Sequence, residues 1–440
     1  TSGNAEADHV YNLIIDYTWK EILSNDEKAV LMAKAFFIHS VSETDLGQVA
    51  GVNNKRLHSA IKTLASISFF EPQKPGQQRI QTHALAQEFA KRVFIDYPDL
   101  KKEIEERWWA GYGSEVIRKG RQTPYKSLQP ELKIDVANVL EHLEHHIHKR
   151  SSFYRQALLL FGGREGLGHI LLSWSQYDGI LRVAESIKEL IAKEENGELI
   201  ESCCLKLIVP AFILLGRIDE AERWIGLAVE QNARLHDRCL EAAIEMAHGY
   251  LYSYHGYLLA QEQAYQKALA IFQELGNVMN IFMVYEKLGS LYICLAGQGL
   301  EEAIDTSGKI KTKLEKAEYY FEQAAKLKNK ETIDQDTYNF YCRFSGHRGI
   351  ITRLRGGSLD KARDLIQNII GQLHWSSTVA YFYRELALIE HLAGNKDLAH
   401  SYEKKGTALL RQLGLLHFKK NSIFNHSRKV IDRMKQEGTW

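Results

Sequence analysis

The stretch Gly249-Tyr-Leu-Tyr252 is the clearest sign of how this chain folds, because it recurs as Gly289-Ser-Leu-Tyr292, 40 residues further along. Val209 and Phe212 lie 40 residues before Gly249 and Tyr252, respectively. A period of about 34 to 47 residues is typical of stacked helix pairs, in which each pair buries its apolar face only against a neighbour. The repeat therefore predicts an α-solenoid.

Small residues at two further places of the repeat support the helix pairs. Gly216 lies seven residues after Val209, and Gly256 lies seven residues after Gly249. At this position a helix must end and the chain must turn. Ala228 and Ala268 lie where the second helix crosses the first, and a small side chain there lets the backbones approach. The predicted fold class is mainly all-α, with a right-handed tetratricopeptide-like α-solenoid.

Composition sets only loose bounds on function. The chain has 440 residues, 45% hydrophobic and 25% charged, which is typical of a soluble globular protein of roughly two to three domains. Its net charge of +1 disfavours a protein that works mainly by neutralising phosphates. No run of about 18 apolar residues and no signal-peptide pattern occur in the sequence, and its five cysteines lie inside helical patterns. We therefore expect a cytoplasmic protein without a membrane partner.

Capping residues before apolar runs organise the first hundred residues. Helices are predicted to begin after Ser24, Ser42 and Asn53, and a β-hairpin is predicted near residues 68–82. Helix, helix, tight turn, helix and hairpin together indicate a winged helix-turn-helix. The predicted domain bounds are 1–8 for a disordered lead, 9–98 for the winged helix, 99–150 for a helical connector, 151–418 for the solenoid and 419–440 for a capping helix and tail.

Three details of the helices are also predicted. The helix after Ser24 is expected to run through Ile38. In the fourth helix pair, the polar stretch from Gly297 to Lys313 is expected to form a mobile loop or an added short helix. The last four residues, Glu437-Gly-Thr-Trp440, are expected to fray.

Five segments, in their order along the chain, resemble one known family. They are Trp19-Lys-Glu-Ile-Leu-Ser-Asn-Asp-Glu27, Asp45-Leu-Gly-Gln-Val-Ala-Gly51, Arg79-Ile-Gln-Thr-His-Ala-Leu-Ala-Gln-Glu-Phe-Ala90, Glu106-Arg-Trp-Trp-Ala-Gly-Tyr112 and Asp135-Val-Ala-Asn-Val-Leu140. Together they resemble the winged-helix domain and connector of STAND signalling ATPases of the NB-ARC type, whose bacterial members carry a tetratricopeptide-like sensor. The resemblance implies a signalling regulator.

The resemblance also implies a role for His83. In that family a histidine at the start of the helix after the wing contacts the β-phosphate of ADP and holds the closed state, although Thr82 and Ala84 here depart from the commoner Met-His-Asp sequence. An imidazole beside a helix N-terminus suits a phosphate. The alternative is a histidine that is only hydrogen-bonded at the junction of wing and helix.

No Gly-x-x-x-x-Gly-Lys-Ser/Thr loop occurs in the sequence, and nucleotide hydrolysis in that family requires this loop. The chain is therefore expected to be no enzyme and to bind no cofactor by itself. ADP or ATP and Mg²⁺ are implied only for a full-length parent. The resemblance implies a nucleotide-binding domain in cis or in trans, and an oligomer on activation.

The first helix of each pair is expected to line the concave surface, where solenoids bind their partners. Counting from the glycines, the lining is predicted to be Lys206, Met246, Tyr250, Ser253, Glu286, Ser290, His347, Tyr381, Arg384 and His391. Tyr, His and Arg with few acids suit a partially anionic, protein or peptide-like inducer. The alternative is that these side chains only fill contacts between helices.

Two other groups of residues carry open alternatives. The second helix of the helix-turn-helix presents Lys55, Arg56, His58 and Lys62, which suits DNA. The alternative, a solvated helix face, is favoured over DNA binding. In Glu141-His-Leu-Glu-His-His-Ile-His148, pairs of histidines three or four residues apart could bind Zn²⁺ from one helix face. No third ligand is identifiable from the sequence, so a solvated helix face is expected and no metal site is predicted.

Two functions are compatible with these sequence features. The first is the sensing arm of a STAND regulator, in which the solenoid recognises an inducer and the winged helix latches a nucleotide-binding domain that this chain lacks. The second is a DNA-binding transcription regulator whose solenoid controls the winged helix.

Overall fold

The computed structural model describes residues 13–71, 79–124, 127–163, 166–301, 307–328, 335–373, 376–413, 415 and 426–440. The chain divides into two compact units. One consists of residues 1–120 and 128–146, and the other of residues 121–127 and 147–440. Within the described residues both units are built almost entirely from helices, so the prediction of a mainly α fold is confirmed.

The described helices of the first unit are α1 (13–22, with Thr18–Ile22 as a π-helix), α2 (Asn25–Lys34), α3 (Glu43–Ala50), α4 (Asn54–Ser66), α5 (Ala84–Val93), α6 (Pro98–Arg107), α7 (Ser114–Gln122) and α8 (Pro130–Lys149). Of these, α2, α3 and α4 begin where their capping residues predict. Ser24 and Glu27 form a reciprocal capping box at the start of α2. Ser42 and Asn53 accept backbone hydrogen bonds at the starts of α3 and α4.

The end of α2 differs from the prediction. The helix stops at Lys34 instead of Ile38. The buried Lys34 ammonium donates hydrogen bonds to the carbonyls of Phe37 (3.0 Å) and His39 (3.2 Å), so it stabilises a turn in place of the last helical residues. Burial lowers the pKa of this ammonium to about 8, and the nearby Lys91 and Arg79 add to the shift.

A short antiparallel sheet accompanies these helices. β1 (Val41–Ser42) pairs with β2 (Arg79–Ile80), and Phe70 bridges to Thr82. The predicted β-hairpin near residues 68–82 does not include β1, which has too few residues to show a sequence pattern. The predicted wing tip at 72–78 lies outside the described residues.

The connector helices pack within the first unit. A π-helical segment, Trp108–Gly113, joins α6 to α7 without a break. Ile104, Trp108 and Tyr112 are buried, as their stripe predicts. The Tyr112 hydroxyl donates to Asp135 on α8 (3.0 Å), which holds the two parts of the connector together.

The second unit is a succession of packed helices. It begins with α9 (Tyr154–Gly162), α10 (Leu167–Ser173), α11 (Tyr177–Ile191) and α12 (Gly197–Ile200). Five helix pairs follow among the residues that the structure describes. They are a π-helical segment (Glu201–Ile208) running into α13 (Val209–Leu214) with α14 (Ile218–Leu235), α15 (Arg238–His255) with α16 (Leu258–Glu274), α17 (Val278–Glu301) with α18 (Ser307–Lys328), α19 (Gln335–Leu354) with α20 (Leu359–Ile370), and α21 (Ser376–Leu392) with α22 (Lys396–Gln412). A last helix, α23, spans His426–Gln436.

The repeated glycines and alanines act as the sequence predicts. Gly216 and Gly256 end their helices with φ of 73° and 76°, a conformation that favours glycine. A Cβ built on Gly249 would lie 2.1 Å from the ring of Tyr265, so only glycine admits that ring between α15 and α16. Ala228 and Ala268 are fully buried. Each of these pairs therefore closes through a small residue.

Two predictions for this unit are wrong. Helices α17 and α18 extend through most of the stretch 297–313, leaving only residues 302–306 outside the described residues, because the stretch contains no proline. The tail is not frayed, since the Trp440 ring stacks on His391 with 4.5 Å between ring centroids.

One helix segment, Val278–Gly297, is long and apolar enough to cross a membrane. Of its most apolar window, 61% is buried inside the structure, as in the core helix of a globular unit.

Candidate functional site

The structure divides the ten predicted lining residues into two groups. The name first-helix layer is used here for residues 201–214 together with α15, α17, α19 and α21, the first members of the five pairs. Within this layer Met246, Glu286, His347, Tyr381 and Arg384 are buried. The partly exposed residues are Lys206, Tyr250, Ser253, Ser290 and His391. Ligand contact by any of the ten stays a prediction.

Glu286 lies at the centre of a charged cluster in this layer. Its carboxylate lies 3.3 Å from the guanidinium of Arg343 on α19 and 3.6 Å from the ammonium of Lys287. Burial favours the neutral carboxyl, but Arg343, Lys287 and His347 outweigh it and lower the pKa of Glu286. Burial also opposes the charge of Lys287, yet Glu286 and Tyr250 raise the pKa of its ammonium. The cluster is therefore charged at neutral pH.

The cations of this cluster reach solvent while the acid does not. The side chain of Lys287 is 23% exposed and that of Arg343 18%, against 7% for Glu286. The Lys287 ammonium also lies 5.3 Å from the ring centre of Tyr250, a cation–π contact with the preceding pair. The cluster therefore places two partly exposed cations and one aromatic ring around a single buried acid.

His347 lies deeper in the same region. Its ring stacks on Phe321, with 5.2 Å between ring centroids. Burial lowers the pKa of His347 to about 4, and Glu286, which favours the charged form, offsets only part of the shift. His347 is therefore a neutral core histidine at physiological pH.

A second charged cluster lies two pairs earlier. Glu201 is buried, with its carboxylate 2.7 Å from the Lys206 ammonium. Asn280, on α17, donates to the same carboxylate (3.3 Å). Since Asn280 and Lys287 lie seven residues apart on one helix face, α17 contributes to both clusters. Sequence reasoning missed Glu201, Asn280, Lys287 and Arg343. The available signal was a polar or charged side chain close to apolar residues of the same helix.

The remaining predicted residues on α21 lie among structural contacts. The adjacent Glu385 is fully buried and pairs with Arg353 on α19, at 2.8 Å. Tyr381 packs in the core formed by α17 to α21, and His391 stacks on Trp440. These surroundings account for Tyr381 and His391 by packing alone.

His83 lies where the sequence predicts, immediately before α5, and its side chain is exposed. It makes no side-chain capping hydrogen bond to that helix. Its backbone N–H donates to the carbonyl of Phe69 (3.3 Å), which fixes the junction between the strand region and the helix. The imidazole is thus available beside a helix N-terminus.

The basic face of α4 is partly neutralised by acids. The Arg56 guanidinium donates to Asp26 (2.6 Å), and His58 lies 3.3 Å from Glu43. Lys55 and Lys62 are exposed. This face therefore offers less positive charge to a DNA phosphate backbone than its sequence suggests.

The expectation of a solvated histidine face on α8 is wrong for two of its four members. His142 is 8% exposed and His146 5%, whereas His145 and His148 are exposed. The reason is the aromatic wall of the connector, because the His142 ring packs at a tilt against Trp108, with 3.9 Å between ring centroids. Burial lowers the pKa of His142 well below its usual value, and His146 adds to the shift.

No protein-family model and no curated protein matches the chain. Among solved structures, the chain is similar to a signal-transduction ATPase with numerous domains (STAND) with a tetratricopeptide-repeat sensor from Pyrococcus horikoshii. The similarity covers 93% of this chain and 67% of that one, at 15% identity and a TM-score of 0.31. Values this low carry no conclusion about the function of this chain.

Proposed function

We propose that this chain is the sensing arm of a STAND-type signalling regulator. In this proposal the helix pairs of the second unit recognise a protein or peptide-like inducer on the first-helix layer. The first unit is a winged helix that latches a nucleotide-binding domain in cis or in trans, and the inducer releases the latch and allows assembly into an oligomer. The chain itself performs no catalysis and acts in the cytoplasm.

The observation that carries this proposal is the arrangement of charge in the first-helix layer. Lys206, Lys287 and Arg343 are partly exposed, and each contacts a buried acid, Glu201 or Glu286. A buried ion pair contributes little net stability, because removing both charges from water costs about as much as their attraction returns. We infer that the pairs are kept because they hold the cations in fixed positions at the surface.

This arrangement favours an inducer with carboxylate groups. Fixed cations bind carboxylates through charge-assisted hydrogen bonds, and they have already lost most of the side-chain freedom that binding would otherwise cost. Tyr250, which lies against Lys287, adds an aromatic surface of the kind common in peptide recognition. A peptide with acidic and apolar residues fits both features.

The latch is proposed for the first unit because His83 is exposed beside the start of α5, where an ADP phosphate on another domain could approach it. The α2–β1–α3–α4–β2 order also suits a winged helix, with Phe70 and Thr82 extending the hairpin. The alternative of a DNA-binding regulator is less favoured, since acids contact Arg56 and His58.

The proposal is tested by comparing three probes with the full chain in fluorescence anisotropy. They are a fluorescein-labelled peptide of alternating glutamate and leucine, the same peptide with lysine for glutamate, and a duplex DNA of similar length. Binding of the acidic peptide alone at physiological salt is the expected result. Preferred binding of the duplex would instead support the transcription regulator, and equal binding of both peptides would contradict a cationic surface.

A further inference from the structure

Three buried side chains of the first unit converge on one point. His142 and His146, four residues apart on α8, face the same side, and Glu105 approaches them from α6. One possible ligand atom from each residue lies within 4.8 Å of the other two. Glu105 Oε1 and His146 Nε2 are 2.8 Å apart. The spacing of the histidines in the sequence does not identify Glu105 as part of this group, because Glu105 lies on a different helix.

One of these side chains lacks the partner that a buried polar group normally has. Within the described residues, His142 Nε2 has no hydrogen-bond partner, whereas Glu105 Oε1 lies 2.8 Å from His146 Nε2. Both residues are more than nine-tenths buried. Such groups are costly to leave unsatisfied. A proton on His146 would compensate the charge of Glu105, but it would leave His142 Nε2 without a partner.

We propose that Glu105, His142 and His146 bind a zinc ion that ties α6 to α8. A cation at the centre of the three atoms contacts the carboxylate and both imidazoles at once, which a single proton cannot do. Two imidazoles and one carboxylate are an established donor set for Zn²⁺, whereas Ca²⁺ and Mg²⁺ prefer oxygen ligands alone. Three protein ligands leave the fourth tetrahedral position to water.

The surroundings suit a structural ion. The ring of Trp108 lies against His142. Phe36, just after the end of α2, also contacts His142, with 5.4 Å between ring centroids. Trp109 lies 5.1 Å from His142 and 5.4 Å from His146, again between centroids. This apolar wall favours an ion that fixes two helices over one that meets a substrate. Metal–ligand distances of about 2.0–2.2 Å place the donor atoms about 3.4 Å apart, so modest side-chain rotation completes the site.

The test is a metal titration of the untagged full chain. The protein is stripped with a chelator and desalted, Zn²⁺ is added in competition with a chromogenic chelator, and bound metal is counted by mass spectrometry. We expect one tightly bound Zn²⁺ per chain. His142→Gln should weaken that binding at least tenfold, whereas His148→Gln, at an exposed position of the same helix, should leave it unchanged.

A thermal melt separates lost binding from lost folding. Zn²⁺ binds only the folded site, so it should raise the Tm of the wild type and of His148→Gln but not that of His142→Gln. Two results would overturn the proposal. The first is a wild-type chain that takes up no zinc in the competition titration and shows no Tm shift. The second is an equal loss in both variants, which would indicate binding to surface histidines. Zinc uptake and the Tm shift of the wild type test the proposal even if His142→Gln does not fold.

Discussion

Glu286 on α17 pairs with Arg343 on α19 across 3.3 Å, so an ion pair joins the first helices of two successive pairs. The buried carboxylate also contacts Lys287, its neighbour in sequence. Two cations are therefore positioned by one acid. A buried ion pair of this kind adds little net stability over apolar packing.

Glu286→Gln should lower the free energy of unfolding by about 2 kcal/mol or more, because Lys287 and Arg343 then lose the acid that compensates their burial. Urea unfolding followed by circular dichroism measures this. The matched control is Glu318→Gln, which breaks the exposed pair with Arg355 and should cost less than about 1 kcal/mol. Equal costs in the two variants would show that Glu286 is not needed to compensate charge.

The helix crossing makes a second prediction. Gly249→Ala should destabilise the chain by about 1–3 kcal/mol, because the new Cβ meets the Tyr265 ring, which is held in the core. Gly226→Ala is the control, since nothing lies within 4 Å of its Cβ and alanine is the better helix former by about 1 kcal/mol. In thermal melts, the Tm should fall for Gly249→Ala and rise for Gly226→Ala. An unchanged Tm for Gly249→Ala would contradict the close helix crossing.

The buried histidine of the first-helix layer makes stability depend on pH. The pKa of His347 is about 4 in the folded chain and about 6.5 in the unfolded one, so between these values the unfolded chain binds more protons and stability falls as pH falls. From about pH 7.5 to about pH 5, this group should cost about 2 kcal/mol. Urea unfolding of His347→Gln should show a correspondingly smaller loss over that range, and His148→Gln should follow the wild type. If the free energy of unfolding falls with pH equally for His347→Gln and the wild type, the imidazole of His347 is solvated instead of buried.

Local signals predicted much of this structure. The period of the glycines fixed the helix pairs, and capping residues fixed the starts of α2, α3 and α4. What the sequence could not supply were contacts between distant segments. Glu105 is far from His142 in sequence, and the stacking of Trp440 on His391 depends on where α21 lies. The burial of Glu201 and Glu286 was missed for the same reason, because the acids of an isolated amphipathic helix are expected in solvent.

The latch makes a prediction for a protein that joins this chain to a nucleotide-binding domain. One hydrogen bond from His83, about 1.5–3 kcal/mol even when charge-assisted, gives an affinity weaker than millimolar, so calorimetry of this chain alone should show no ADP binding. In the joined protein, with ADP present and inducer absent, His83→Ala should increase the oligomer fraction in size-exclusion chromatography with light scattering. Equal monomer fractions and equal ADP retention would leave His83 with a structural role only.

If the first-helix layer holds fixed cations for an acidic partner, removing one of these cations should weaken binding of an acidic peptide. The dissociation constant of the fluorescein-labelled glutamate–leucine peptide is measured by anisotropy for the wild type, Lys287→Gln and Lys361→Gln. Lys361 is an exposed cation on the second helix α20, so its variant makes the same change of charge outside the first-helix layer. We expect affinity about tenfold weaker for Lys287→Gln, as for one lost charge-assisted contact, and unchanged for Lys361→Gln. Equal affinity for all three proteins would contradict the proposed role of the layer.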